Sequence, residues 1–174
     1  MNVKCVVTGY LDENCYILSK NGNCLIVDPG DEFLKIKEAI GDDKVLGVLI
    51  THSHVDHIGA LRSFLTKRSI KIFKRSNFEE KEYEIGDFKF KCLHTPGHSK
   101  DSVTFYFEED NAMFVGDFIF EGSIGRVDLP GGSQSEMEES LQRFINLDFD
   151  VNLYPGHGEA TTLNKEKETN PYFN

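Results

Sequence analysis

The stretch Thr51-His52-Ser53-His54-Val55-Asp56-His57 decides how this chain is read. It places three imidazoles and one carboxylate within the six residues 52–57. Neutral histidine nitrogen and carboxylate oxygen are borderline-hard donors, suited to zinc, iron or manganese. One His-x-His alone would read as a solvated polar loop. Four potential donors packed this tightly read as part of a metal centre. Residues 45–51 just before them are mostly apolar with β-branched members, the mark of a buried strand. The donors therefore sit in a loop at the end of a strand. A helix is expected from near Ile58, with Ile58, Leu61 and Leu65 on one face.

Working outward, three more donors occupy the same kind of place. His98 lies in Thr95-Pro96-Gly97-His98-Ser99, Asp117 follows the strand-like run 112–115, and His157 lies in Pro155-Gly156-His157-Gly158. Each neighbours a glycine, which permits unusual backbone angles and close approach to a ligand. Together they bring the set to five histidines and two aspartates, enough donors for two metal ions. A carboxylate can bridge two ions, and Asp117 is the separate, glycine-flanked one.

The rest of the pattern mixes strands and helices. Residues 3–10, 14–19 and 23–28 read as strands, with a hairpin at Lys20-Asn21-Gly22-Asn23. Phe33, Ile36 and Ile40 recur at helical spacing, closed by Gly41. Strands are expected at 70–73, on both sides of Gly86-Asp87, at 102–107, at 112–115 and at 151–154. Ser133 and Glu136 fit a capping box before the helical face of Met137, Leu141, Phe144 and Ile145. A short helix is expected from Thr161, ending before Pro171. Such alternation excludes all-α and all-β classes.

Composition sets outer limits. The chain has 174 residues, read as one domain over 1–174, and 39% hydrophobic residues, enough to fold around a core. Its 19 basic and 29 acidic side chains give a net charge of −10. That field repels phosphate backbones and anionic membrane surfaces, so neither nucleic acid nor membrane is expected as a partner. No apolar run approaches a membrane span, and the start does not read as a signal peptide. The four cysteines form no Cys-x-x-Cys pair. Reduced thiols and a cytoplasmic location are the expectation. The oligomeric state stays open.

With His52-x-His54-x-Asp56-His57, His98, Asp117 and His157 in that order, the chain resembles the metallo-β-lactamase-fold hydrolases over nearly its whole length. The resemblance implies an αββα sandwich of two mixed sheets with helices outside. It assigns His52, His54 and His98 to one metal, Asp56, His57 and His157 to the other, and Asp117 as the bridge. The run Gly116-Asp117-Phe118-Ile119-Phe120-Glu121-Gly122-Ser123-Ile124-Gly125-Arg126-Val127-Asp128 resembles the glyoxalase II branch, hydrolases of S-hydroxyacyl glutathione thioesters. The short proteins of that branch, without the helical C-terminal glutathione-binding domain, are the better match.

That likeness implies a small-molecule thioester substrate and two divalent ions, zinc first, with iron and manganese compatible. A metal-bridging hydroxide would attack the thioester, with Asp56 and Asp117 as the catalytic carboxylates. Arg126 is expected to contact the substrate, and Asp28 and His94 to support the ligands from behind. Asp128, which stands where the branch has an aromatic hydroxyl, can pair with Arg126 or face solvent. Two rivals remain. Persulfide dioxygenases are similar in the His-x-His-x-Asp-His string and a Gly-Arg-x-Asp segment, and hold one iron with residues matching His52, His98 and Asp117. The other rival is a metal-binding module without catalysis.

Overall fold

The computed structural model describes residues 1–65, 70–77 and 79–173. Strands β1 (Asn2–Thr8), β2 (Glu13–Lys20) and β3 (Asn23–Val27) form an antiparallel meander. Its second turn has positive φ at Asn21 and Gly22, the twist that a two-residue hairpin requires. Helix α1 (Phe33–Ile40) carries the chain to β4 (Lys44–Leu49), parallel to β3. Two single turns, α2 (Val55–Ile58) and α3 (Leu61–Phe64), precede β5 (Lys71–Phe73), parallel to β4. These strands form one sheet in sequence order.

Next come β6 (Glu82–Ile85), β7 (Phe88–His94), β8 (Val103–Phe107) and β9 (Ala112–Gly116). A small hairpin follows, β10 (Ile119–Phe120) and β11 (Ser123–Ile124). Helix α4 (Gln134–Ile145), β12 (Asn152–Pro155), β13 (Thr161–Thr162) and α5 (Leu163–Thr169) complete the chain. The second sheet runs β13-β12-β9-β8-β7-β6 and is mixed, because β12 pairs parallel to β9.

Alternation along the strands separates three apolar layers. Tyr16, Leu18, Leu25, Val27 and Leu49 meet Phe90, Phe105, Phe107 and Phe114 between the sheets. The intervening residues Cys15, Ile17, Cys24 and Ile26 face outward onto Ile36 and Ile40 of α1 and Phe64 of α3. Met113 and Val115 face outward onto Met137, Leu141 and Phe144 of α4. The order is helix, sheet, sheet, helix, as the resemblance implied. The four cysteines are all free. Among the described residues, no helix is long and apolar enough to cross a membrane.

Three local expectations need correction. The helix expected from Ile58 begins at Val55, so Asp56 and His57 sit on a helical turn and not in the loop. It breaks near Gly59 into two turns, and Leu65 is exposed. At α4 only half of the capping box forms. Ser133 Oγ accepts from the Glu136 N–H, but the Ser133 N–H donates to the Gly97 carbonyl, leaving Glu136 no reciprocal bond there.

Candidate metal centre

The loops after β4, β7, β9 and β12 open at one edge of the sandwich and bring all seven predicted donors together. His52, His54 and His98 each offer a nitrogen within 4.8 Å of the others, and so do Asp56, His57 and His157 with one ligand atom each. Asp117 lies between these trios. Its Oδ2 is 3.5 Å from His98 Nε2, 4.0 Å from His52 Nε2 and 3.7 Å from His157 Nε2. Its Oδ1 is 3.3 Å from His57 Nε2.

The hydrogen bonds behind the rings decide which nitrogen lone pairs face this centre. A carbonyl or carboxylate oxygen can only accept, so a ring nitrogen bonded to one carries the proton. His98 Nδ1 bonds the Arg126 carbonyl at 2.7 Å, His157 Nδ1 the Leu11 carbonyl at 3.0 Å, and His57 Nδ1 the Asp28 carboxylate at 3.0 Å. The Thr51 hydroxyl spends its proton on Asp28 Oδ2 at 2.5 Å, so it accepts from His52 Nδ1 at 3.1 Å. In the neutral rings, four Nε2 lone pairs are thereby aimed at the donor cluster. His52 and His98 Nε2 both converge on His54 Nδ1, at 3.1 and 2.9 Å. One proton on His54 can satisfy only one of them.

Without a metal ion, electrostatics divide the rings. Burial pushes the His52 and His98 pKa values down and keeps those rings neutral. Burial also opposes charge on His57, but Asp117 and Asp28 outweigh it and push its pKa well above the usual value. His157 is raised by its bond to Asp56. Asp117 is largely buried, yet His57 and its other imidazole neighbours hold it below the usual carboxylate range. His57 Nε2 and Asp117 Oδ1 face each other buried and without a hydrogen-bond partner. With His57 neutral and protonated at Nδ1, two lone pairs face each other there, and only a cation between them, a proton or a metal ion, satisfies both. The residues present therefore fit two divalent ions: His52, His54 and His98 for one, Asp56, His57 and His157 for the other, and Asp117 for both.

Asp28 lies behind His57 and Thr51. Besides His57 it accepts from the Thr51 N–H at 2.7 Å, so it orients both the loop and the ring. His94 joins none of the donor groups found among the described residues. It ends β7, where its N–H donates to Glu80 and its carbonyl accepts from Arg143. Arg126 lies against Asp128. Its guanidinium is forked onto Asp128 at 2.7 and 2.6 Å, which resolves the Asp128 question. What Arg126 lends the centre is its backbone carbonyl.

Two functional neighbours went unread in the sequence. Glu13 is buried at the start of β2, bonded to Thr8 Oγ1 at 2.8 Å, with Oε1 left 3.8 Å from His57 Nδ1 and unpartnered. Burial and nearby Asp28 push its pKa up to about 9. Asn14 donates to the carbonyls of Pro155 and Gly158 and so fastens the His157 loop. Two polar residues opening a strand were the available signal. Gly156 is required by space: a Cβ there would lie 2.3 Å from Asp117 Oδ1 and 2.5 Å from His57 Cε1.

Known proteins resemble this chain in sequence and fold. Residues 8–81 and 74–157 match the family model of the metallo-beta-lactamase superfamily. A probable metallo-hydrolase of Bacillus subtilis (strain 168) is 32% identical, with 95% of this chain and 94% of that protein covered. The hydroxyacylglutathione hydrolase GloC of Haemophilus influenzae is 27% identical, with 100% and 99% covered. Among solved structures, TTHA1623 in a di-iron-bound form superposes with a TM-score of 0.86 at 32% identity, covering 98% of this chain and all of that one.

Proposed function

The chain belongs to the metallo-β-lactamase superfamily, and from that premise we propose that it is a binuclear metal-dependent hydrolase of thioesters. The observation that carries the binuclear reading is Asp117 lying between two donor trios whose Nε2 lone pairs are aimed inward by the bonds behind them. Thioester chemistry is supported by the full-length likeness to a hydroxyacylglutathione hydrolase. When bound, two divalent ions, zinc or iron, supply Lewis acidity and lower the pKa of water at the site.

The chain's own residues hold and orient. Asp28 fixes Thr51 and His57, the Arg126 carbonyl fixes His98, and the Leu11 carbonyl fixes His157. Such fixing keeps the donors in place without reorganisation as charge develops on the acyl oxygen. In the net reaction a water oxygen joins the acyl carbon and the carbon–sulfur bond breaks, its electron pair going to sulfur. The two water protons end on the thiol and on the carboxylic acid, which ionises at neutral pH. A thiol of pKa about 8.5 departs readily as thiolate, so this centre needs no separate acid for the leaving group.

The test is turnover by the zinc- and iron-loaded protein of S-lactoylglutathione and of a panel of other thioesters. Free thiol release and oxygen uptake are followed in parallel. Thiol release without oxygen consumption is expected. Oxygen consumption with glutathione persulfide, and no thioester cleavage by either form, would overturn the proposal in favour of a mononuclear iron dioxygenase.

A further inference from the structure

A cleft of about 200 Å³ opens between the β1–β2 turn and the first turn of α2, lined in part by Tyr10, Leu11, Gly30, Val55, Asp56 and Gly59. We propose that it receives an apolar acyl chain of the substrate, so that the site selects neutral, apolar thioesters over glutathione conjugates. The inference rests on the thioesterase reading and narrows its substrate class.

Three observations carry it. First, Tyr10 is 91% exposed, Val55 80% and Leu11 49%. They are three of the seven large hydrophobic side chains exposed among the described residues, and they gather at this one cleft. Scattered surface hydrophobics are ordinary, whereas a cluster at the mouth of a polar site marks a binding surface. Second, the cleft is continuous with the metal centre. The Leu11 carbonyl accepts from His157 Nδ1, Val55 directly precedes Asp56, and Asp56 itself lines the cleft. A chain lying there extends from the donors that would flank a reacting carbonyl.

Third, the charges are wrong for an anion. The cleft is lined by the carboxylates Asp31 and Asp56 and by no lysine or arginine. Arg126, the cation expected to receive a glutathione carboxylate, already holds the two oxygens of Asp128. An incoming carboxylate would be left the Nη1 side of the guanidinium and would lie close to the Asp128 carboxylate. Such a competitor lowers the gain from any anion and leaves a neutral substrate unaffected.

The test uses the zinc-loaded protein and acyl thioesters of N-acetylcysteamine, a neutral thiol, from acetyl to hexanoyl. Each buried methylene contributes about 0.8 kcal/mol, so kcat/KM should rise about fourfold per carbon until the cleft is filled. The rise should appear mainly in KM. Tyr10→Ser and Val55→Ser, singly and combined, should flatten this slope while metal content stays at the wild-type value. Arg126→Ala should keep the wild-type slope. A flat profile in the wild-type protein, or Arg126→Ala selectively weakening glutathione thioesters as the favoured substrates, would overturn the proposal.

A binding measurement separates this failure from failure of the thioesterase reading. The non-hydrolysable thioether S-hexyl-N-acetylcysteamine is titrated into the zinc-loaded protein, and amide NMR shifts are recorded. Shifts centred on Gly9, Leu11, Gly30 and Gly59 are expected even if no thioester turns over. Shifts centred elsewhere, or none at millimolar probe, would refute the cleft as the apolar site.

Discussion

Replacing Asp28 by Asn and by Ala should separate two roles that its carboxylate combines. Asp28 is buried in a left-handed conformation with φ 48° and accepts three hydrogen bonds, from the Thr51 N–H, the Thr51 hydroxyl and His57 Nδ1. Asp28→Ala leaves three buried donors without their acceptor. Bonds to a charged group contribute about 1.5–3 kcal/mol each, but they are not additive within one network. A total loss of about 3–5 kcal/mol is expected, the range for breaking a buried charged pair.

Asp28→Asn keeps the shape and one acceptor for the Thr51 N–H, so its stability loss should be clearly smaller. Its amide NH2, however, would face Thr51 Oγ1 and His57 Nδ1. His57 must then accept at Nδ1 and carry its proton at Nε2, toward the centre. The Thr51 hydroxyl, now accepting from the amide, can donate to His52 Nδ1 and turn that ring to the same wrong tautomer. Asp28→Asn should therefore weaken metal binding by at least the 10–100-fold typical of lost ligand support. Urea unfolding of the metal-free proteins and zinc competition against a chromophoric chelator measure the two effects. Asp28→Asn that binds both ions within about threefold of wild type, a difference of well under the 1.4 kcal/mol of one decade, would refute the tautomer argument.

Gly156→Ala should reduce metal binding with little change in far-UV circular dichroism, because its methyl would press on Asp117 and His57; overpacking of this kind costs about 1–3 kcal/mol. Unchanged stoichiometry and affinity would contradict the packing described. Glu13→Gln should raise the Tm of the metal-free protein at pH 8 and not at pH 4. Burial raises the Glu13 pKa to about 9, so the folded state favours the neutral acid and loses stability as pH climbs from the unfolded value toward 9. Relief of even about 1 kcal/mol shifts Tm by about 2–4 °C, and a gap independent of pH would count against a strained carboxyl. His94→Ala should retain both ions with less than the roughly tenfold affinity loss of a supporting ligand partner, since its backbone bonds survive truncation. Loss of an ion in that variant, with the fold kept, would place His94 in the centre after all.

The donors were legible because their chemistry is carried by side-chain type at strand ends, where His52, His98, Asp117 and His157 all proved to lie. The layers were legible through period-two runs such as Cys24-Leu25-Ile26-Val27, whose members face alternate cores. The hairpin β10–β11 was missed because two-residue strands show no period. Glu13 escaped because its meaning depends on tertiary contact with His57, 44 positions away in sequence. At Arg126 the structure adds partners that sequence does not display. Sequence displays a guanidinium, whereas the fold uses its carbonyl and lets Asp128, two residues on, occupy the charge.

The number of metal ions that the donor set holds is open to a simple count. Metal-free protein is loaded with excess zinc, desalted and assayed for zinc and protein. Two ions per chain are expected, from two donor trios with Asp117 between them. A ratio that stays at one under zinc excess, with all seven donors intact, would contradict that expectation.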